Sequence, residues 1–502
     1  MESVINILKS QNEALFLFTN TAFWIFFGVV LFGHALVYRN KTLRIIFLFI
    51  VSLFFYYKTG GYFFSLLLFS TVTDFFIGLG LGKFEKRGVR KLLLITSLVL
   101  NLSLLGYFKY LFFFTDLYNK VFDAGVMPVD YLANFSNHFF HTSFDISTIT
   151  LPVGISFFTF QTLSYSIDVY RRRIDPVKNI IDFGFYVSFF PQLVAGPIVR
   201  ASQFIPQLLK PYHVSERAVW KAILLILGGL FKKMVISDYL SVNLIDRVFE
   251  TPEMYSGVEI LTAIYSYALQ IYCDFSGYTD IAIGLALLLG FKLPQNFNSP
   301  YKATSIVSFW RRWHMSLSYW LRDYLYIPLG GNRKGTFRTG LNVMITMLLG
   351  GLWHGANIRF VIWGLMHGAG LVVNKIINSV TEKLNITIPK PVGWFVTFQF
   401  VVVTWVVFRA HSLETIHVMW YRLTNAFHPW IFLDFVRTNP YIFVYLGLGF
   451  LIHWLPDSFK KRVKKMFYRS PVVVRILIAA LVLYLIHIFH QADLQPFIYF
   501  RF

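Results

Sequence analysis

The chain has 502 residues, 56% of them hydrophobic and only 14% charged, with a formal net charge of +21. Soluble domains carry about 25% charged residues, and a mean hydropathy of +0.57 excludes an ordinary soluble protein. The basic excess lies in loops between apolar runs, as the positive-inside rule requires, and attraction to anionic lipid adds to it. Nucleic-acid binding is therefore not expected. The single cysteine, Cys273, excludes an internal disulfide and a multi-cysteine metal site, and reads as a small buried hydrophobe rather than a nucleophile.

The leader MESVINILKSQNEA lacks the basic start and cleavage site of a signal peptide and reads as a short interfacial helix. Membrane spans are expected at about 15–38, 43–57, 62–82 and 92–113. The loops 38–44 and 82–91 are basic, and 115–147 carries Asp116, Asp123, Asp130 and Asp145. This puts the basic loops inside and the N-terminus outside.

After residue 147 the apolar runs become irregular. Pro152 and Gly154 interrupt a span that ends at Arg171, Arg172 and Arg173, and prolines at 191, 197 and 206 make 180–210 a re-entrant or interfacial element. A span at 218–238 precedes a run from 258 to 290 that exceeds one perpendicular crossing. On it Tyr267, Gln270 and Asp274 share one inward face, and 275–277 reads as a helix break. A polar inside connection follows at 291–306. Beyond the central stretch, spans are expected at about 339–356, 359–377, 392–409, 441–455 and 472–490, with the C-terminus outside. The whole is read as one all-α polytopic membrane domain over 1–502, with about twelve crossings plus re-entrant elements and its chemistry within about 147–380. No internal repeat is visible.

Three histidines stand out in or beside apparent spans, where ionisable groups usually mark a site or pathway. Residues 309–322 read as one amphipathic helix with Arg311, His314, Ser318 and Arg322 on one side. Phe309, Trp310, Trp313, Leu317 and Trp320 lie on the other, in keeping with tryptophans anchored among lipid headgroups. Anchoring does not require His314. His354 lies in LLGGLWHGA beside Trp353, where glycines let a backbone or ligand approach. His367, in WGLMHGAG, reads as a hydrogen-bonded structural residue. With an ordinary pKa of about 6.5, imidazole suits proton abstraction from a hydroxyl. There is no HExxH or short HxH metal pattern, no GxSxG elbow and no phosphate-binding glycine loop. No metal is expected. A hydroxyl acceptor and a separately activated acyl donor fit these residues best; a transporter or channel with a histidine proton relay is the alternative.

RRWHMSLSYWLRDYLYIPLGG and GGLWHGA, together with LPVGISFFTFQTLSYSIDVYR, FFPQLVAGPI, DFSGYTDIAIG, LPQNFNSPY and FIYFRF, resemble the membrane-bound O-acyltransferase superfamily over nearly the whole chain. The likeness is strongest to its bacterial alginate O-acetylation branch. It implies a funnel through the membrane, with His354 the essential histidine and His314 the second motif residue. It also implies a bacterial plasma (inner) membrane location with both termini outside. The implied co-substrate is an acyl thioester such as acetyl-CoA, with no permanently bound cofactor. An extracytoplasmic SGNH-type partner and a cell-surface polysaccharide are the implied acceptors. Asp274, Gln270, Arg311, Trp313, Ser318 and Trp353 are the expected substrate-contacting residues. For the two histidines to share one site, either 309–327 must re-enter the membrane or the glycines at 350 and 351 must break the next helix.

Overall fold

A computed structural model describes residues 18–194, 196–490 and 495–498. The expected leader helix and the outermost parts of the C-terminal segment lie outside the described residues. The described residues are helical throughout, with no strands among them. Six helical runs are long and apolar enough to cross a membrane, and a seventh if the pair Pro429–Thr438 and Pro440–Trp454, bent by 94°, forms one span.

One of the six is itself a hairpin. Lys41–Lys83 runs for 43 residues, about twice what one crossing needs. Gly61, at φ 55°, interrupts it. On the neighbouring helix Ile180–Ser188, Gly184 sits against the ring of Phe49, and Phe183 lies 6.2 Å from Phe75. In a straight helix residues 49 and 75 would stand about 39 Å apart. The two arms, Lys41–Gly60 and Phe64–Lys83, therefore bend back so that both pack on Ile180–Ser188. The other expected spans are shorter or interrupted helices, among them Thr21–Val37, Ile155–Tyr170 and Glu216–Leu230.

Two expected breaks are absent, for one reason. Gly257–Leu288 is a continuous helix of 32 residues through 275–277. A Cβ on Gly277 would stand 2.8 Å from the carbonyl oxygen of Gly229, so this glycine serves close packing on Glu216–Leu230. Likewise Gly335–His354 runs unbroken through Gly350 and Gly351. A Cβ on Gly351 would lie 2.2 Å from the Phe360 carbonyl oxygen, which lets Ile358–Lys383 pack directly alongside.

The expected helix at 309–322 is instead broken. Ile306–Trp310 and Met315–Leu321 are separated by a turn in which His314 adopts a left-handed φ of 42°. Its aromatic face is not among lipid headgroups. Phe309, Trp310, Trp313 and Trp320 are all buried within the protein. Trp320 stacks on Phe160 at 3.7 Å and donates its indole N–H to the Phe160 carbonyl oxygen at 2.9 Å. Helical periodicity is the same for a lipid-facing and a protein-facing aromatic stripe; packing against Ile155–Tyr170 decides between them. Residues 180–210 are short helical pieces, with Phe183, Phe185, Tyr186, Phe189 and Phe190 in the interior.

Candidate active site

His354 is the last residue of Gly335–His354, and Gly355 leaves the helix with an extended backbone. The ring of Phe360 occupies the place of any Cβ at 355, so only glycine fits there. His314 arrives from the broken segment. The two imidazoles stand 6.5 Å apart, centroid to centroid, and both are buried. Of the two routes that could bring them together, burial of the 306–327 segment is the one used.

Asn296, from the polar connection before that segment, organises the turn. Its Oδ1 receives the Ser316 backbone N–H at 3.1 Å and the Ser316 hydroxyl at 2.9 Å, and lies 3.2 Å from Nδ1 of His314. Its backbone carbonyl accepts from the Met315 N–H at 3.0 Å. A backbone N–H can only donate, so the side-chain atom facing it is the amide oxygen. Nδ1 of His314 must then carry the proton, which places the ring's lone pair on Nε2.

Aromatic rings fix both imidazoles from several sides. Phe275 meets His314 at 4.7 Å, and Trp353 lies against both histidines, 5.9 Å from His314 and 5.1 Å from His354. Trp363 and Phe408 pack on His354 at 5.1 and 5.3 Å. His354 and Trp353 line a cavity of about 180 Å³ with Lys109, Val194, Phe497 and residues 150–157.

A second cavity, of about 120 Å³, holds Lys233, Asp238, Ser241, Gln270 and Asp274. Lys233 pairs with Asp274 at 2.5 Å and Asp238 at 2.8 Å. The other oxygen of Asp274 accepts the Ile498 N–H at 3.0 Å, and Lys233 lies 3.3 Å from the Pro496 carbonyl oxygen. Residues 495–498 thus lie between the two cavities, with Phe497 facing that of His354 and its neighbours facing the other.

The expected substrate-contacting residues are dispersed. Trp353 joins the histidines. Gln270 and Asp274 line the second cavity, where the Gln270 amide N–H donates to Ser241 at 3.0 Å. Trp313 is buried among Phe297, Phe309 and Trp405. Ser318 is half-buried, 3.5 Å from the Trp313 carbonyl oxygen, and Arg311 is exposed. His367 is packed between Trp310 and Trp363, at 5.2 and 4.6 Å, and neither of its ring nitrogens has a hydrogen-bond partner among the described residues. The hydrogen-bonding role expected for it is replaced by aromatic packing. Of the arginines that follow Ile155–Tyr170, Arg171 donates to the Asp323 carbonyl oxygen at 3.1 Å and Arg173 pairs with Asp168 at 3.5 Å.

Three residues escaped the sequence reading. Lys109 stood in plain view as a lone cation in the apolar run LLGYFKYLFFF. Asn296 lay in a polar connection whose LPQNFNSPY motif was noted without a role for any one residue. Phe497 belongs to the C-terminal aromatic run, which nothing local connects to His354.

A model of the membrane-bound O-acyltransferase family matches residues 172–417, which include both histidines. The Pseudomonas aeruginosa protein named "Probable alginate O-acetylase AlgI" is 42% identical over 383 residues, covering 74% of this chain and 68% of the relative. The chain belongs to the membrane-bound O-acyltransferase family. This O-acyltransferase is also similar to the peptidoglycan O-acetyltransferase of Helicobacter pylori, 36% identical over 83% of this chain and 80% of the relative. A more distant likeness is to the teichoic acid D-alanyltransferase of Streptococcus thermophilus, 29% identical over 51% of this chain and 68% of the relative. The acyltransferase's all-helical build and its apolar helices accord with this membership.

Proposed function

We propose that the enzyme carries an acetyl group from a cytoplasmic thioester, of the acetyl-CoA type, to a hydroxyl on the extracytoplasmic side, for O-acetylation of a cell-surface polysaccharide. It does so in a bacterial plasma membrane, with both chain ends outside. The observation that carries this reading is the approach of His314 to His354, which itself lines a cavity. The relatives supply its direction: their names describe acyl transfer onto alginate, peptidoglycan and teichoic acid.

In this mechanism the acceptor hydroxyl enters the cavity and gives its proton to His354. Its oxygen forms the new C–O bond at the thioester carbonyl, the C–S bond breaks, and the proton passes from His354 to the departing sulfur. The products are an ester and a free thiol. His314, with its tautomer fixed by Asn296, orients or polarises the acyl carbonyl. Trp353 and the surrounding rings keep water away from the thioester. The immediate acceptor is a seryl hydroxyl of an SGNH-type partner or a glycan hydroxyl.

The test uses purified protein in liposomes, acetyl-CoA labelled in the acetyl group, and either a polysaccharide fragment or the SGNH-type partner as acceptor. Labelled ester formed by the unchanged protein and not by His354→Ala supports the reading. Equal transfer by both proteins, or none by either, removes it.

A further inference from the structure

The helix that carries His354 ends abruptly inside the protein. Its last four carbonyls have no helical N–H to accept from, because Gly355 leaves in an extended conformation. At membrane depth such groups need partners within the protein. Three of the four find them on one short stretch of another helical run, Arg87–Phe122, where Gly106–Tyr110 is π-helical. The ammonium of Lys109 donates to the Trp353 carbonyl at 2.7 Å and the His354 carbonyl at 3.3 Å. The hydroxyl of the next residue, Tyr110, donates to the Leu352 carbonyl at 2.7 Å. Lys109 and Tyr110 are consecutive on this π-helical turn, and their long side chains reach neighbouring carbonyls of the same helix end. Lys109 also lies 3.4 Å from the Ser156 hydroxyl and lines the cavity of His354.

A lysine among apolar residues is costly unless its charge is used. Here one atom satisfies two adjacent carbonyls, and its charge faces the negative end of a helix. The neutral hydroxyl of Tyr110 reaches only the third. Among the described residues its shortest contact is to the Trp353 carbonyl of the His354 turn, with the Ser156 hydroxyl the one partner outside that turn.

We propose that Lys109 is a positioning residue for acyl transfer: with Tyr110 it closes the open carbonyl end of the His354 helix and so sets where that imidazole stands in the cavity. The inference rests on His354 being the base of the reaction. Removing the ammonium frees the last turn to shift, and a displacement of about 1 Å at a reacting group lowers turnover about a hundredfold.

The experiment compares Lys109→Met, Tyr110→Phe and Lys109→Cys with the unchanged protein, using labelled acetyl-CoA and measuring kcat and KM separately. Cys273, the only native cysteine and buried, is replaced by alanine throughout, so that 2-bromoethylamine converts Lys109→Cys alone into a side chain ending in an ammonium at the lysine position. Lys109→Met is expected to lose kcat about a hundredfold with KM for the donor within about threefold. Tyr110→Phe loses less, and aminoethylation of Lys109→Cys restores most of the activity. Turnover of Lys109→Met within about threefold of the parent, or a loss that aminoethylation does not reverse, overturns the proposal. His354→Ala is measured alongside. If it still transfers acetyl, the reading of the base fails; if it is inactive while Lys109→Met is active, only the inference about Lys109 fails.

Discussion

Asn296 holds His314 in a backbone conformation that histidine seldom adopts. The amide oxygen meets the imidazole, the Ser316 hydroxyl and the Ser316 N–H, while the Asn296 carbonyl takes the Met315 N–H. A left-handed φ of 42° at a residue other than glycine is strained by about 1–3 kcal/mol. Asn296→Ala should therefore release both the strained turn and the tautomer. It leaves buried Ser316 donors unsatisfied, at about 1–3 kcal/mol. Thermal unfolding in detergent should show a lower midpoint, and acetyl transfer should fall further than stability alone explains. Ser316→Ala, which removes the hydroxyl's bonds to Asn296 and to the Ile198 N–H but leaves His314 its partner, should lose stability while keeping more of the activity than Asn296→Ala. Equal activity losses in the two variants would contradict this account of Asn296.

The two histidines should not be equivalent. A general base contributes roughly a hundred- to ten-thousandfold, so His354→Ala should lose transfer by that order. His314→Ala should lose less if it orients or polarises the carbonyl. Single-turnover kinetics with labelled thioester separates the two, since both variants should still bind the donor.

Adjacent glycines offer a sharper contrast. At Gly351 an added methyl meets the Phe360 carbonyl and the Gly364 backbone, neither of which can yield; at Gly350 it meets only the end of the Leu321 side chain, at 3.0 Å. Gly351→Ala should part the two helices and destabilise by about 1–3 kcal/mol. Gly350→Ala should be tolerated. Melting curves of the two variants, with transfer assays in parallel, check this.

Asp274 is an anchor for residues 495–498 as well as a wall of the second cavity. Asp274→Ala strips buried Lys233 of one of its two carboxylates and frees the Ile498 N–H. Removing one member of a buried ion cluster costs about 3–5 kcal/mol. The C-terminal segment should become cleavable by carboxypeptidase at a rate well above that of the parent. An unchanged cleavage rate would mean that this clamp is not what holds the segment.

Phe497 closes one side of the His354 cavity. Phe497→Ala should widen it and shift donor preference from acetyl towards propionyl or butyryl thioesters, read as a ratio of kcat/KM values. A ratio that does not move would place acyl selection elsewhere.

What could be foreseen from the residues, and what could not, follows from the range of the interactions. His354 was legible because a histidine in a glycine- and tryptophan-rich stretch of an apolar run has few bland explanations. The kinship of His314 and His354 was legible as a demand, that one of two segments must bend, but not as an answer. The answer lay in Phe160 and Trp320, which stack from segments with no local sign of each other. Gly277 was misread as a breaker, and the glycines at 350 and 351 stood open between breaking their helix and admitting a neighbour, because a glycine that ends a helix and one that admits a neighbouring helix look alike in one dimension. Lys109 was passed over because its carbonyl partners lie 244 and 245 residues away.

Residues 495–498 come after the described membrane helices, yet Phe497 belongs to the wall around His354. Both histidines are in place long before that wall can be. A nascent chain that has inserted most of its helices would hold the reactive pair in an unfinished chamber, open on the side where Phe497 belongs. The enclosure is thus the last part of the site to be made: a stalled or clipped product ending before residue 495 would carry the chemistry in a chamber open to water, where thioester is hydrolysed instead of transferred.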